Sequence, residues 1–264
     1  MRIYTCNIQT SPLMYFKPNL SMKFPAKQQQ TEGLHFPCTD PATVRKARFW
    51  DRIARKYAAD PIADMAGYEA SLKRTRELLS NEHEVLEMGC GTGTTALRLA
   101  PFTGHLLATD ISAEMIAIAN EKLASQPTPQ LSFALADADG PIFGSATYDR
   151  VLAFNMLHLV SDLDQTLAMA AQALRPDGLL ISKTACITEM NPLIPHLALP
   201  LMRAIGKAPL HVRCLSEAEL RAALTRQGLQ VVSVERHGTQ KKDFRVFIVA
   251  RKPLATDPLR AATC

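Results

Sequence analysis

The stretch at residues 85–93, VLEMGCGTG, most constrains how this chain can fold: an apolar run broken by one acid, then glycine at every second position. Val85, Leu86 and Met88 suit a strand buried on both faces of a parallel sheet. Gly89, Gly91 and Gly93 let the backbone turn sharply and approach a ligand with no side chain between them. Residues 94–100 read as a helix ended by Pro101, so the loop opens onto a helix N-terminus, whose unpaired N–H groups favour a carboxylate or phosphate. The combination specifies an α/β chain with a small-molecule site made of main chain. Gly91, Gly93 and Ala96 also satisfy the G-x-G-x-x-A spacing of a dinucleotide fold, so these three residues alone leave a nicotinamide nucleotide open.

Strands and helices alternate after this loop. HLLATD at 105–110 is a second strand ending in Asp110. Ser112 and Glu114 start a helix whose inner stripe is Met115, Ala119 and Leu123, closed by Pro127 and Pro129. A third strand at 132–137 leads into DADGPIF, and a fourth covers 149–155. Ser161 and Asp164 predict a capping-box start for a helix with Leu163, Leu167, Ala170 and Leu174, stopped by the turn RPDG at 175–178. The fifth strand is 179–184. Ser216 and Glu219 cap a helix carrying Leu220, Ala223 and Leu224 and ended by Gly228. Two β runs, 230–235 and 244–250, then predict an antiparallel hairpin at a sheet edge. Upstream of the loop, Val44, Ala47, Phe49, Trp50, Ile53, Ala54 and Tyr57 recur at helical spacing, and a second helix spans about 65–79 with Leu72, Thr75, Arg76 and Leu79.

Composition bounds the function classes. At 264 residues, 47% hydrophobic and 21% charged, the chain fits one large α/β domain with an extension. No apolar run reaches the roughly 18 residues of a membrane span, so no transmembrane segment is expected. A net charge of +5 from 30 basic and 25 acidic residues leaves no nucleic-acid footprint. The six cysteines, at Cys6, Cys38, Cys90, Cys186, Cys214 and Cys264, form no C-x-x-C or Cys/His cluster, so no metal is expected and the thiols read as those of a reduced, cytoplasmic protein. Cys90 reads as a small packing residue rather than a nucleophile. Residues 1–40, with four prolines and the glutamine run 28–30, predict a poorly ordered extension in which Arg2 is the lone arginine, thin support for a mitochondrial presequence. The domain is expected over 41–253 and a C-terminal tail over 254–264.

Glu87, Gly89, Gly91 and Gly93, followed by Asp110, resemble the first two motifs of class I S-adenosylmethionine-dependent methyltransferases, with the resemblance covering about residues 49–253. FWDRIARKYAAD at 49–60 is similar to the opening segment of the ubiquinone/menaquinone biosynthesis (type 11) group. The resemblance implies a Rossmann-like, seven-stranded, mostly parallel sheet of order 3-2-1-4-5-7-6, last strand antiparallel, helices on both faces. It implies that Asp110 takes the ribose hydroxyls and that Ile111 packs on the adenine face, although Ile111 reads equally as core. By the family's D-A motif, Asp137 takes the adenine amino group and the Ala138 amide a ring nitrogen; Asp139 competes for the role. Glu87 would hold the methionyl end, or else bind loop amides. Tyr57 borders the cofactor pocket or anchors a helix to the core. The Asn155 backbone borders the methionyl amine and the methyl group. His158 is a catalytic base or a structural histidine.

The cofactor implied is S-adenosylmethionine, with S-adenosylhomocysteine as product, and the reaction an in-line displacement onto a small hydrophobic or aromatic acceptor. Such a reaction needs no nucleophile or metal motif, because positioning can supply roughly 7–11 kcal/mol. Residues 185–215 carry four prolines among Leu, Ile and Met where relatives build a lid. PHLALPLMRAIG there reads as an apolar pocket wall, a helix resting on a membrane surface, or a helix covering the sheet. Quinone precursors, phospholipid head groups and polyketide-like aromatics fit that wall; arsenite does not, since Asn155 and Met156 stand where an arsenite-methylating relative needs cysteine. A nicotinamide-nucleotide oxidoreductase and a non-catalytic S-adenosylmethionine-binding protein remain as alternatives, and the oligomeric state is open.

Overall fold

The computed structural model of the protein describes residues 41–140, 144–189, 199–204, 208–209, 211–239 and 245–254. All of these lie within one compact unit, Gly33–Cys264. The expected extension at 1–40, the Pro141-Ile142-Phe143 run and the tail from 255 lie outside the described residues.

Seven strands make one sheet: β1 (Glu84–Met88), β2 (His105–Asp110), β3 (Leu131–Leu135), β4 (Tyr148–Phe154), β5 (Leu174–Ala185), β6 (Gln230–Arg236) and β7 (Arg245–Arg251). Their order is β3-β2-β1-β4-β5-β7-β6. Strands β1 to β5 pair in parallel, and β7 runs antiparallel to both β5 and β6, so the expected Rossmann-like sheet with its reversed last strand is what forms. The helices are α1 (Pro41–Ala59), α2 (Met65–Arg76), α3 (Thr94–Leu99), α4 (Ala113–Ser125), α5 (Leu163–Ala173), α6 (Leu199–Ala204) and α7 (Glu217–Arg226).

The period-two alternation of each strand divides the core. Leu86, Met88, Val151, Ala153, Leu180 and Ile248 face α5 and α7, where Leu167, Leu220 and Leu224 are buried. Val85, Leu106, Ala108, Leu152, Ile181 and Phe247 face α2 and α3, where Leu72, Ala96 and Leu99 are buried. Each such Leu or Phe side chain contributes roughly 1.5–3 kcal/mol on burial, and the two faces together explain why Val85, Leu86 and Met88 of β1 and the VLAF run of β4 are apolar toward both sides. A third, smaller cluster joins Trp50 and Ala54 of α1 to Met115 and Ile118 of α4.

Three local expectations are corrected. The N-cap of α5 is Asp162, whose carboxylate accepts the Gln165 N–H at 3.0 Å. Ser161 is occupied otherwise, its N–H donating to Asp139 and its carbonyl accepting from Arg213. Leu174, expected in that helix, is the first residue of β5 and pairs with Tyr148 before a register shift. On α1 the inward stripe includes Thr43, which is buried, whereas Val44 is 36% exposed. Capping of α7 by Ser216 and Glu219, and of α4 by Ser112, follows the expected pattern.

Within residues 185–215 the described parts are a 3-10 turn at Ile187–Glu189, α6, and the return to α7. The two ends meet: the Thr188 hydroxyl donates to the Leu215 carbonyl at 2.8 Å. Leu201 and Met202 on α6 are 61% and 43% exposed.

Candidate functional site

The C-terminal ends of the parallel strands share one edge of the sheet, where open α/β sheets hold ligands. At that edge the backbone after β1 passes through Gly89, Gly91 and Gly93, all at positive φ (68°, 55° and 73°). The loop is pinned from several sides. The Cys90 N–H donates to the Thr109 carbonyl at 2.8 Å, the Gly93 N–H to the Cys90 carbonyl at 3.1 Å, and Lys122 of α4 donates to the Thr92 carbonyl and hydroxyl, each at 2.9 Å. Two glycines do different jobs. A Cβ on Gly93 would lie 2.6 Å from Phe133 and 2.8 Å from Ala119, so this position lets β3 and α4 close on the loop. A Cβ on Gly91 would meet only Tyr57, at 3.8 Å, so its bare backbone faces open space.

Asp110 braces this loop. One carboxylate oxygen accepts the Gly91 N–H and the other the Ser112 N–H, both at 2.9 Å. Burial pushes its carboxyl pKa up while those amides pull it down, the burial effect being larger. Glu87, one strand away, is 1% exposed, and its Oε2 is buried without a hydrogen-bond partner. Burial, then the charge of Asp110, raise its pKa to about 8. The alternative that Glu87 binds loop amides is therefore not what is found. Cys90 is buried beside both acids, which push its thiol pKa well up, as burial does more strongly; the thiol stays protonated and unreactive.

Asp137 and Asp139 follow β3, linked to Asp110 through the Ala136 N–H, which donates to the Asp110 carbonyl at 2.9 Å. Asp137 accepts from Thr43 at 2.8 Å and sits 2.9 Å from the Lys46 ammonium, which is also 2.8 Å from Asp139. Asp139 additionally accepts from Thr166 at 2.6 Å and Ser161 at 3.2 Å. Asp139 is thus a junction between β3, α1 and α5, while Asp137 is held by α1 and by the Asp139 N–H at 3.1 Å. Ala138 packs partly against the larger core cluster.

On the other side of the loop, Asn155 has φ 54° and donates its N–H to the Lys183 carbonyl at 2.7 Å. The following Met156 lies over Gly89, where an added Cβ would be 2.8 Å away. His158 has a buried Nδ1 without a partner; burial and then the positive charge of Arg245 lower its pKa to about 4. Tyr57 is 52% exposed, so it is no core anchor; its hydroxyl end is desolvated, and that burial, then Asp110, raise its pKa.

The structure thus brings Tyr57, Glu87, Gly89, Gly91, Asp110, Asn155 and His158 to one edge, and Asp137 beside it. Ile111 is half-buried in neither large cluster. Gly93 serves packing rather than exposure. Sequence reasoning missed Thr43, Lys46, Lys122 and Arg245. The signal for the first two was available: positions 43, 46, 50, 54 and 57 share one helical face, so Lys46 lies in the stripe that Trp50 and Ala54 bury.

A cationic nucleoside with an amino-acid end fits these groups. The orphaned Glu87 carboxyl suits an ammonium, the side-chain-free Gly91 backbone allows close approach, and Asp110 and Asp137 supply acceptors at the next two strand ends. Among the described residues no group of three or more His, Cys, Asp or Glu is placed to hold a metal ion, and no helix is long and apolar enough to cross a membrane.

The family described as methyltransferase domain matches residues 85–178. Methyltransferase GfsG of Streptomyces halstedii is 31% identical over 142 residues, covering 51% of this chain and 51% of that protein. The iterative polyketide synthase afoE of Emericella nidulans is 36% identical over 137 residues, covering 48% of this chain and 4% of the synthase. The chain therefore spans about half the length of the first relative and a small part of the second. An S-adenosylmethionine-dependent methyltransferase from Mesorhizobium loti shares the fold, with a TM-score of 0.59 at 20% identity over 70% of this chain and 97% of that one. Residues 85–178 thus match a family described as methyltransferase domain, and the sheet that carries them has the fold of solved S-adenosylmethionine-dependent methyltransferases.

Proposed function

We propose that this protein transfers a methyl group from S-adenosylmethionine to a small hydrophobic or aromatic acceptor. The observation that carries the reading is Glu87: a fully buried carboxyl with an orphaned oxygen, next to a main-chain cradle that Asp110 holds in shape. Bound there, S-adenosylmethionine supplies a methyl group already activated by its sulfonium.

The chain's own residues bind and orient. Glu87 takes the ammonium of the methionyl end and becomes ionised in doing so. Asp110 accepts from the ribose hydroxyls, each charge-assisted bond contributing roughly 1.5–3 kcal/mol. Asp137 and the Ala138 amide hold the adenine edge beside Ile111, while the Asn155 backbone borders the reacting end and Tyr57 closes the mouth. His158, neutral and weakly basic, orients the acceptor; with so low a pKa it takes a proton poorly. The acceptor side is assigned to the region of α6, whose exposed Leu201 and Met202 favour an apolar acceptor or contact with a lipid surface. The similarity to a segment of an iterative polyketide synthase favours a polyketide-like acceptor. The resemblance of residues 49–60 to the quinone-biosynthesis group bears on α1, not on the acceptor.

Calorimetry against S-adenosylmethionine, S-adenosylhomocysteine and NADH tests the proposal. Both sulfur nucleosides are expected to bind and Asp110→Ala to weaken them at least tenfold. Binding of NADH with no response to S-adenosylhomocysteine would overturn it in favour of an oxidoreductase, and cofactor binding without methyl transfer to any acceptor would leave a non-catalytic binding protein.

A further inference from the structure

Helix α2 is seated on the sheet by few apolar contacts. Its buried residues are Gly67, Ser71, Leu72 and Thr75, of which Leu72 is the one large apolar side chain. A helix with so little apolar area to bury depends on its polar bonds for its place. Those bonds run in two directions.

Toward the far edge of the sheet, α2 meets the chain where β6 ends. Because β6 runs in the same direction as β5, residues 237–239 stand on the same edge as the glycine loop. His237 bridges the two elements. Its Nδ1 lies 3.1 Å from the Ser71 hydroxyl and its Nε2 3.0 Å from Glu235, while the ring packs on Phe247 with centroids 4.6 Å apart. Glu235 in turn accepts from Arg74 at 3.0 Å, and Ser71 from Lys183 of β5 at 2.7 Å. Asp64, the N-cap of α2, accepts from the Thr239 N–H at 3.0 Å and the Thr239 hydroxyl at 2.8 Å. Glycine is disfavoured in helices, yet a Cβ on Gly67 would lie 2.8 Å from the His237 carbonyl oxygen, so its absence lets the chain after β6 close on α2.

Toward the cradle, α2 meets α3, the helix that leaves the glycine loop. Tyr68 and Thr95 share a hydrogen bond of 3.2 Å, and Arg98 donates to both Glu69 oxygens, at 2.5 and 2.8 Å. Helix α2 therefore links β6, the last strand of the sheet order, to the loop after β1.

Resting on the reading of that loop as a nucleoside cradle, we propose that His237 is a positioning residue: it locks α2 to the end of β6, and α2 carries the constraint through Tyr68 and Glu69 to α3 and so to the N–H groups of the glycine loop. The imidazole touches no ligand and acts by fixing the helix against which α3 is set. A link of this kind works in both directions, so filling the cradle tightens residues 235–239.

The test uses the full chain. His237→Phe keeps a ring on Phe247 and loses both hydrogen bonds, and Tyr68→Phe combined with Glu69→Gln cuts the α3 end. S-adenosylhomocysteine affinity is measured by calorimetry in the wild type, in His237→Phe, in the Tyr68/Glu69 double variant and in all three changes together. His237→Phe is expected to weaken binding roughly threefold to thirtyfold, and to add nothing once the α3 end is cut, because the constraint no longer reaches the loop. In hydrogen exchange, S-adenosylhomocysteine is expected to protect residues 235–239 in the wild type and not in the double variant. Ser71→Ala opens the same joint from the helix side and is expected to repeat the pattern should His237→Phe not fold. Wild-type affinity in both joint variants, losses that simply add when the changes are combined, or exchange at 235–239 that ignores the ligand would each overturn the proposal. A wild type that binds no S-adenosylhomocysteine would sink the nucleoside reading instead. The link is then judged by exchange alone: the double variant must quicken it at residues 235–239, and no change there overturns the proposal.

Discussion

Glu87 is the residue whose chemistry depends most on its surroundings. A carboxyl with a pKa of about 8 is protonated in the folded protein and ionised in the unfolded chain between the usual glutamate value and pH 8. The folded state therefore binds more protons across that window, and stability from this group falls as pH rises through it. Glu87→Gln is expected to raise the melting temperature at pH 8, with the gain shrinking toward pH 5, as differential scanning calorimetry would register. Wild-type affinity for S-adenosylmethionine should climb toward pH 8 and then level off, because the ammonium needs the ionised carboxylate; Glu87→Gln should flatten that rise. The two glycines separate packing from ligand access. Gly91→Ala has room for its methyl and should lose only about 1 kcal/mol to its left-handed backbone while losing much of its S-adenosylhomocysteine affinity. Gly93→Ala strikes Phe133 and Ala119 and should lose stability by more, in urea unfolding, than Gly91→Ala does.

Helix α1 is an element whose position depends on buried polar contacts more than on apolar ones. It is tied at one end by Thr43 and Lys46 to Asp137 and Asp139, and in the middle by Asp51, which accepts from the Ser112 hydroxyl at 2.6 Å. Lys46 and both acids are 14% exposed or less, so removing the ammonium leaves two neighbouring carboxylates without their shared cation. Lys46→Met is expected to speed hydrogen exchange across α1 and to weaken S-adenosylhomocysteine, with exchange in β1 and β4 unchanged. Exchange that rises everywhere would mean a global loss of stability instead. At the far end of the chain, Ser216→Ala removes a complete capping box from α7 and should cost about 1 kcal/mol in chemical denaturation, with cofactor affinity unaltered.

At the scale of the whole molecule, acid stability should be set by groups held deprotonated in the folded state. His158, with its pKa near 4, stays neutral while the same residue in the unfolded chain takes a proton, so stability drops as pH falls from 6.5 toward 4. Burial is the largest single influence on Asp139 and Asp149 and raises them. Hydrogen bonds and charge from Lys46, Thr166 and Ser161 on the first, and from Arg175 and the Glu84 N–H on the second, together outweigh it and hold both below the usual carboxylate range, which adds a loss at lower pH. His158→Gln should make the melting temperature less steep between pH 6.5 and 4.5; an unchanged slope would assign the acid limb to the carboxylates.

What the sequence determined is what local chemistry dictates. Apolar runs made β1 and β4 central strands, alternate glycines made the turn after β1, Ser112 and Ser216 began their helices, and the charged gap after Glu235 led to a reversed strand, β7, beside the edge strand β6. Short-range signals failed where another residue decided: the Asp162 carboxylate, not the Ser161 hydroxyl, accepts the N–H at the start of α5, and Val44 lost the inner face of α1 to Thr43, whose hydroxyl donates to Asp137. Only the tertiary structure could decide that Glu87 is buried with an orphaned oxygen, that Lys46 joins two acids ninety residues away, and that His237 joins Ser71 of α2 to Glu235 of β6. Residue spacing encodes backbone geometry over a few positions, whereas burial and charge pairing depend on which strand ends the sheet order sets side by side.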